Sequence, residues 1–254
     1  MTRSRLLIAV LAGIALSGPA LADDGGTPTP PSKLWSFTGM FGSVDHAAAQ
    51  RGFQVYTQSC ANCHSMKYLH YRDLSGIGLT PSQIETIAAA VTVPSGFDSQ
   101  GNVVTQPGTP ASQFRSPFAN DDAAREVMNG ALPPDLSLIL NTFSNGPNYV
   151  YGVLTGYADP PADFKLSDGM SYNKYFPGHQ IAMPPPLNEG QITYTDGTAS
   201  TVAQNAHDVV TFLAWAAHPE MAQRKHLGFG VVLYFLGMAG ITFALKRKIW
   251  ADVH

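Results

Sequence analysis

Cys60-Ala61-Asn62-Cys63-His64 (CANCH) holds both cysteines of this 254-residue chain. Two thiols separated by two residues, with a histidine directly behind them, form the attachment signature of c-type haem. Thiols one helical turn apart reach the two vinyl groups of a single haem, and the adjacent imidazole falls under the iron. The motif therefore predicts one covalently bound haem c, with Cys60 and Cys63 as thioethers and His64 as an iron ligand.

Two other interpretations of the cysteine pair are a thioredoxin-like redox dithiol and half of a structural zinc site. A redox dithiol is expected in a βαβ setting, and the sequence has no such alternation. A structural zinc site needs four ligands, usually with a second Cys or His pair at close spacing, and the motif has no such companion. Haem attachment is the favoured interpretation.

The N-terminus has the pattern of a secretory signal peptide. Residues 1–5 (MTRSR) are basic, residues 6–16 are apolar, and Ala-Leu-Ala at residues 20–22 is a small-residue cleavage site. The apolar stretch is too short for a stable membrane span, so residues 1–22 are predicted to be removed. Export agrees with the haem motif, because c-type haem is attached outside the cytoplasm.

The C-terminal region contains an uncharged apolar run at residues 227–245, LGFGVVLYFLGMAGITFAL. Nineteen residues in a helix span about 28 Å, close to one hydrocarbon core. We expect a transmembrane helix over 226–246 and a cytoplasmic tail over 247–254; a buried core helix is the alternative. Flanking basic residues are nearly balanced, so the signal peptide decides the orientation. It predicts a single-pass protein of a bacterial inner membrane, with residues 23–225 in the periplasm.

Residues 23–225 are long enough for one domain. They carry ten lysines and arginines against seventeen aspartates and glutamates, a net charge of −7. This balance argues against nucleic-acid binding and suits a cationic partner. The chain's 24 glycines and 19 prolines favour long loops around few helices. We therefore predict a mainly α, loop-rich c-type cytochrome domain with one C-terminal transmembrane helix.

Hydrophobic periodicity and capping residues predict where the helices lie. Apolar residues at i, i+4, i+7 and i+11 predict a helix that delivers the cysteines at its C-terminal end; these are Ala49, Phe53, Tyr56 and Cys60. Cap and stop signals predict a helix opening at Thr80-Pro81-Ser82-Gln83, a long loop over 96–117, a helix from Asn120 to the Asn129-Gly130 stop, short helices over 136–143 and 148–155, a faint hairpin over 191–198, and a helix from Thr201 that ends before Pro219.

The second iron ligand must come from elsewhere in the chain. A methionine thioether raises the potential and suits electron transfer, whereas an open position suits peroxidase chemistry. Met1 falls in the signal peptide and Met238 in the apolar run. Met66 is too close to His64 to reach the opposite face. The remaining methionines are Met40, Met128, Met170, Met183 and Met221.

Met183 is the favoured ligand among these because its loop is stiff. Pro177-Gly178 turns the chain before it, and the prolines at 184–186 fix φ behind it. A stiff loop presents a weak ligand at a fixed distance with little entropic loss. His179, in the same loop, is the rival ligand, and a lone methionine is also a frequent core-filling residue.

With these features in place, the chain resembles the cytochrome c₁ family, the haem subunits of the cytochrome bc₁ complex. The resemblance extends over most of the predicted mature chain. It is carried by CANCHSMKYLHYRDL (60–74), NGALPPDLS (129–137), YVYGVLTGY (149–157), YNKYFPGHQIAMPPPL (172–187), DGTAST (196–201) and DVVTFLAWAAHPE (208–220).

The resemblance implies a set of haem contacts. Cys60 and Cys63 would be the thioethers, and His64 and Met183 the axial ligands, with His179 only a neighbour. The residues that would line the haem are Pro133, Pro134, Tyr149, Leu154, Phe176, Gly178, Ile181 and Pro186.

One departure from the family pattern concerns the haem propionates. Relatives commonly carry an arginine shortly after the Pro-Pro-Asp-Leu-Ser segment, close to a propionate. Here residues 138–144 (LILNTFS) contain no basic residue. Arg125 is a candidate substitute, and it is equally well placed as an ordinary helix-face arginine.

The resemblance also implies partners within ubiquinol–cytochrome c reductase. These are cytochrome b in the membrane, a Rieske iron–sulfur protein as electron donor, and a soluble or membrane-bound cytochrome c as acceptor. The sequence offers no general base or substrate pocket, so this subunit is not expected to be an enzyme by itself. Two other functions fit the haem motif: an anchored cytochrome that serves an oxidase or dehydrogenase, and a haem peroxidase, which needs an open second iron position.

Overall fold

The computed structural model describes residues 28–251. The predicted signal peptide over 1–22 lies outside the described residues, as do residues 252–254 at the end of the predicted tail. Within the described range the α-helices are α1 (His46–Val55), α2 (Pro81–Ala89), α3 (Asp121–Val127), α4 (Ile139–Thr142), α5 (Gly146–Thr155), α6 (Val202–Ala217) and α7 (Met221–Ile249). Short 3₁₀ helices cover Tyr71–Ile77 and Pro177–His179, and the strands are β1 (Thr92–Phe97), β2 (Val103–Pro107), β3 (Ser171–Tyr172) and β4 (Gln180–Ile181). The prediction of a mainly α, loop-rich chain with one long apolar C-terminal helix is confirmed.

The predicted capping residues begin the helices they were expected to begin. Thr80 and Gln83 form a reciprocal capping box at α2, with Thr80 N–H donating to the Gln83 amide oxygen at 2.8 Å. Asn120 and Thr201 each accept a hydrogen bond from the third residue of their helices, α3 and α6. Helix α3 ends before Asn129, whose φ is +51°. These local signals therefore predicted the helix boundaries well.

Helices α1 and α6 pack closely at the centre of the domain. A Cβ atom on Gly52 would lie 2.0 Å from the carbonyl oxygen of Asp208, so this approach requires glycine. Beside it, Arg51 Nε donates to the buried carboxylate of Asp208 at 2.7 Å. Burial acts to raise the pKa of Asp208, but hydrogen bonds from His207, Arg51 and Gln204 hold it below its ordinary value. The carboxylate therefore stays charged between the two helices.

Removing the arginine should destabilise the domain strongly. We expect Arg51→Ala to lower the free energy of unfolding by about 3 kcal/mol, because it leaves the buried Asp208 carboxylate without its charged partner. Urea unfolding in mild detergent, followed by far-UV circular dichroism, measures this. Arg72→Ala is the matched control. Nε of Arg72 lies 3.9 Å from Oδ1 of Asp73 at the surface, and such an exposed ion pair contributes less than about 1 kcal/mol to the free energy of unfolding. Equal losses in the two variants would contradict this account of the core.

The cysteines follow a change in helix type. Helix α1 gives way to a π turn over Tyr56–Cys60, in which the N–H of Ala61 donates to the carbonyl of Tyr56 at 2.9 Å. The predicted apolar face continues through it, since Phe53 and Tyr56 are buried and Cys60 is half-buried. Single π turns are frequent at functional sites. This one leaves Cys60 at the rim of the core.

The long loop predicted over residues 96–117 is wrong in its first half. Strands β1 and β2 form an antiparallel hairpin there, with Phe97 opposite Val103. The Asp98 carboxylate stabilises the turn by accepting the N–H of Asn102 at 2.8 Å. The glycine, proline and serine content of this segment predicted a loop. The pairing depends on contacts between the two strands, which composition does not reveal.

The hairpin predicted over residues 191–198 is also wrong. Ile192 and Tyr194 are buried while their neighbours are exposed, which produced a strand-like alternation. The segment is a loop closed by the N–H of Gly190, which donates to the carbonyl of Ser200 at 2.7 Å. The Ser200 hydroxyl then accepts the N–H of Ile192 at 2.9 Å. A side-chain oxygen thus takes the place of the carbonyl that a strand ladder would use.

Helix α7 is exposed along nearly its whole length. It extends over Met221–Ile249, beyond both ends of the predicted span 226–246. Its apolar window has a mean hydropathy of 1.9 and is 0% buried. It is long and apolar enough to cross a membrane, and the alternative of a buried core helix is wrong.

Candidate functional site

The structure fixes the orientation of the His64 ring. Nδ1 of His64 donates to the carbonyl oxygen of Pro134 at 2.8 Å, since that oxygen can only accept. A proton on Nδ1 leaves the lone pair on Nε2, which is the arrangement that a hydrogen bond at the other ring nitrogen imposes on metal-binding histidines. Burial lowers the pKa of His64, against the opposing effects of Pro134 and Asp135. The imidazole is therefore neutral near pH 7 and able to act as a ligand.

Asp135 holds the Pro133–Pro134 segment in place behind His64. Its carboxylate accepts hydrogen bonds from the Ser65 hydroxyl at 2.7 Å and from the N–H of Lys67 at 2.8 Å. Burial acts to raise the pKa of Asp135, but hydrogen bonds hold it below its ordinary value. Asp135 lies in the NGALPPDLS segment (129–137), and no role for it was predicted from the sequence. Its carboxylate also accepts the N–H of Ser137 at 2.9 Å, and this Asp-x-Ser spacing is the local signal that could have identified it.

Both cysteines are free and half-buried in the turn that precedes His64. Burial, together with the neighbouring Cys63, raises the pKa of Cys60 to about 12. A redox dithiol instead has a thiol with a lowered pKa, so this site does not have its electrostatics. Over residues 28–251 no cluster of three or more His, Cys, Asp or Glu side chains is suited to a metal ion. The described part of the chain therefore gives no support to the zinc interpretation.

The Met183 loop, residues 177–186, is built on the second strand pair. Strand β3 pairs with β4, with Ser171 opposite Ile181, and Met183 follows two residues beyond. The Tyr157 hydroxyl donates to the backbone carbonyl of Met183 at 3.1 Å. Burial raises the pKa of Tyr157, so its hydroxyl keeps the proton that it donates. Tyr157 is a positioning residue that the sequence analysis missed, and only its distant hydrogen bond distinguishes it from other tyrosines.

A side-chain amide links the Met183 loop to the cysteine turn. Nε2 of Gln191 lies 2.9 Å from the hydroxyl of Ser59 and 3.4 Å from the carbonyl of Pro186, donating to both oxygens. Ser59 directly precedes Cys60. The carbonyl of Pro186 belongs to the proline run behind Met183. This contact brings the two halves of the predicted site together.

The eight residues expected to line the haem lie on three elements. Pro133 and Pro134 border a cavity of about 310 Å³ together with Cys63. Tyr149 and Leu154 lie on α5, and the others lie in or beside the Met183 loop: Phe176, Gly178, Ile181 and Pro186. Six of the eight are half-buried, whereas Pro134 and Gly178 are exposed. Their partial exposure leaves these residues accessible to a bound group.

In the described part of the chain, two of these three elements are joined by hydrogen bonds to the Cys-x-x-Cys-His turn, and the third is not. The hydrogen bonds described for residues 28–251 join Pro134 to His64 and, through Gln191, Pro186 to the cysteine turn. They do not join Tyr149 to that turn; its ring packs on Phe143, with centroids 4.2 Å apart.

His179 packs among aromatic rings. Its imidazole stacks on Tyr172, with centroids 5.8 Å apart, and meets Phe164 edge-on at 6.3 Å. Its φ of +59° places it in the left-handed region, next to Gly178 at +70°. These contacts give His179 a role in shaping the turn that leads to Met183.

Arg125 binds the turn that follows its own helix. Its guanidinium donates to the carbonyl of Gly130 at 3.0 Å. This hydrogen bond ties the arginine to the turn that follows α3. The contact favours the structural interpretation of Arg125 over a role at a haem propionate.

These side chains fit a covalently bound haem c. Two unjoined thiols lie one turn apart, and the imidazole behind them is held in the tautomer that leaves Nε2 as a ligand. The Met183 loop adds a thioether, whose backbone Tyr157 restrains. A nitrogen and a sulfur donor together are the ligand set of electron-transferring cytochromes.

A mainly α, loop-rich domain with an oriented Cys-x-x-Cys-His turn, joined to one long apolar helix, defines a c-type cytochrome. The model of the Cytochrome C1 family matches residues 35–253. The chain therefore belongs to the cytochrome c₁ family.

Individual relatives agree with this assignment. Cytochrome c1 of Rhodospirillum rubrum is 43% identical over 98% of this chain and 97% of its own length. The mitochondrial heme protein cytochrome c1 1 of Arabidopsis thaliana is 46% identical over 86% of this chain and 71% of its own. Cytochrome b/c1 of Bradyrhizobium diazoefficiens is 41% identical over 97% of this chain and 40% of its own. Membership makes this chain a haem-bearing electron-transfer subunit.

Proposed function

We propose that this chain is a membrane-anchored monohaem cytochrome of the respiratory quinol–cytochrome c reductase. It takes single electrons from a Rieske iron–sulfur protein and passes them to a soluble cytochrome c. The observation that carries the proposal is the family match over residues 35–253, which includes the whole haem motif and α7. The relative named cytochrome b/c1 joins both names in one protein, which supports cytochrome b as a partner.

The proposed haem site has four principal residues. Cys60 and Cys63 would form the thioethers, and His64 and Met183 would bind the iron. The hydrogen bond from His64 to Pro134 supports the first ligand. The stiff proline run and the contact of Tyr157 with the Met183 backbone support the second. The lining residues are those expected from the sequence: Pro133, Pro134, Tyr149, Leu154, Phe176, Gly178, Ile181 and Pro186.

When bound, haem c supplies a reversible one-electron step at its iron. The chain positions the haem and sets its reduction potential. Cys60 and Cys63 prevent its loss, and the Pro134 carbonyl keeps the His64 ring from rotating. Tyr157 restrains the backbone of Met183, which would help to keep the thioether in place as a ligand. Half-buried apolar residues limit water around the site, which favours the less charged, reduced form.

The proposed setting is a bacterial inner membrane, with α7 as a single-pass anchor. The composition of its apolar window and the exposure of that window, which is 0% buried, support this. The last turn of α7 carries three basic residues, Lys246, Arg247 and Lys248. Their positive charges interact favourably with the negative end of the helix dipole. The predicted signal peptide supports an orientation with the haem domain in the periplasm.

The charge of the domain supports a cationic electron acceptor. Residues 23–225 carry a net charge of −7, and opposite charge accelerates the encounter of two proteins. Asp121 borders the same cavity as Cys63, so part of this negative charge lies close to the proposed haem. We expect the rate of electron transfer to cytochrome c to fall as salt concentration rises.

Purification from the native membrane in mild detergent tests the proposal. We expect a b-type cytochrome and a Rieske iron–sulfur protein to copurify with this chain in equal amounts. Recovery with the subunits of an oxidase or a dehydrogenase, and without a Rieske protein, would replace the proposal with the anchored-cytochrome alternative.

A further inference from the structure

An apolar loop near the N-terminus of the described chain is held in one conformation and yet exposed. This Met40 loop comprises residues 36–43 (SFTGMFGS) and carries no charge. Met40 is 63% exposed and Phe41 73% exposed, whereas Phe37 beside them is buried. Two adjacent large apolar side chains exposed at a loop tip indicate an interaction surface.

The exposure is not a consequence of a loose backbone. The N–H of Ser43 donates to the carbonyl of Ser36 at 3.0 Å and closes the loop at its base. A Cβ atom on Gly42 would lie 1.9 Å from the carbonyl oxygen of Thr38, so the turn depends on glycine at that position. The loop therefore presents Met40 and Phe41 in a defined direction.

A lysine of α7 fastens this loop to the proposed anchor. Nζ of Lys225 donates to the carbonyl of Phe37 at 2.7 Å and to that of Gly42 at 2.8 Å. Lys225 lies in the second turn of α7, which begins at Met221. The loop and the first turns of the helix consequently behave as one body.

The loop lies level with the start of the uncharged run. The ring of Phe41 meets the ring of Phe229 edge-on, with centroids 5.9 Å apart. Phe229 is the third residue of the run that begins at Leu227, about 3 Å along the helix axis. Arg224 precedes that run and is exposed, where a cationic side chain reaches lipid headgroups. A membrane that covers Leu227 and Phe229 therefore meets Phe41 as well.

We propose that the Met40 loop inserts Met40 and Phe41 into the boundary between headgroups and acyl chains, as a second membrane contact beside α7. The inference rests on the proposed anchoring by α7. A helix alone lets the domain tilt about one point, whereas two contacts fix its inclination. The proposed haem is then held at a constant height above the bilayer, where both electron-transfer partners must reach it.

Spin labelling of the full-length, haem-loaded chain in lipid bilayer discs of phosphatidylethanolamine and phosphatidylglycerol tests the proposal. A cysteine introduced by Met40→Cys is the one thiol free to react once Cys60 and Cys63 are bound to haem. Oxygen concentrates in the acyl region and a nickel chelate stays in water. We expect the label at position 40 to collide several-fold more with oxygen, relative to nickel, than a label introduced by Phe97→Cys at the exposed end of β1.

A third label separates failure of the loop from failure of the anchor. Ile241→Cys places a label in the middle of α7, where oxygen should dominate most strongly. A deep label at 241 with nickel access at 40 equal to that at 97 would overturn the loop contact and leave the anchor standing. Nickel access at 241 would overturn both. Shielding of position 40 from oxygen and nickel alike would mean that protein covers the loop instead of lipid.

The lysine provides a second variant that leaves both cysteines and His64 untouched. Lys225→Met in the Met40→Cys chain removes both donations to the loop carbonyls. We expect higher label mobility and a several-fold rise in nickel access at position 40. An unchanged label would contradict the clamp, and with it the defined placement of the loop in the membrane.

Discussion

Replacing both thiols, Cys60→Ala with Cys63→Ala, should abolish covalent haem attachment. The two thioethers are the sole bonds that can survive denaturation, because axial ligands dissociate when the chain unfolds. After denaturing electrophoresis the band of the double variant should lose its haem stain entirely, and all haem should be extractable by acidified solvent. Each single variant retains one thioether and should keep some stain.

Asn62→Ala is the matched control for this experiment. Asn62 lies between the two cysteines and is exposed, so its replacement leaves both thiols and the π turn in place. Its haem stain should equal that of the unchanged chain. A double cysteine variant that still held haem covalently would show that another residue forms the bond, and would overturn the site.

Met183→Lys should convert the proposed electron carrier into one that cannot be reduced by its donor. The haem should stay bound, because Cys60, Cys63 and His64 remain. An amine is a harder ligand than a thioether and favours Fe(III), so the potential should fall. A tenfold bias toward Fe(III) already lowers it by about 59 mV, and we expect at least that shift by redox titration. Quinol-to-cytochrome c turnover in the assembled complex should collapse while the haem stain persists.

His179 is the rival ligand, and the two assignments predict different potentials when it is replaced. His179→Ala should leave the potential where it is, because the ring packs on Tyr172 and Phe164. A large fall in potential in the His179 variant, with no change on replacing Met183, would assign the second ligand to the histidine.

The helices were predictable because their signals are local. The capping box of Thr80 and Gln83 and the caps at Asn120 and Thr201 act within three residues, so sequence alone locates them. The β1–β2 hairpin was missed because its pairing brings together two segments whose glycine and proline content resembles a loop. The alternation of Ile192 and Tyr194 arose from burial against the core, which a pattern cannot distinguish from strand pairing.

The candidate site also contains residues that the local sequence predicts and residues that only the fold brings together. The Cys-x-x-Cys-His spacing is a local constraint, so the thiols and His64 could be proposed from the sequence. The carbonyl of Pro134 lies 70 residues from His64 in the chain, and Tyr157 lies 26 residues from Met183. Partners at such separations meet only through the fold. Assignment of Met183 rests on the stiffness of its loop and on family membership, and its ligand role stays a prediction.

Rapid mixing of the purified native complex with quinol tests the central claim most directly, with the c-type haem of this chain followed by its absorbance. The account predicts that this haem is reduced after quinol is added, and that added oxidised cytochrome c reoxidises it on the timescale of turnover. Both steps should be lost in complex that carries Met183→Lys. A c-type haem that stayed oxidised in the unaltered complex while cytochrome c was being reduced would contradict the account, because electrons would then bypass this chain.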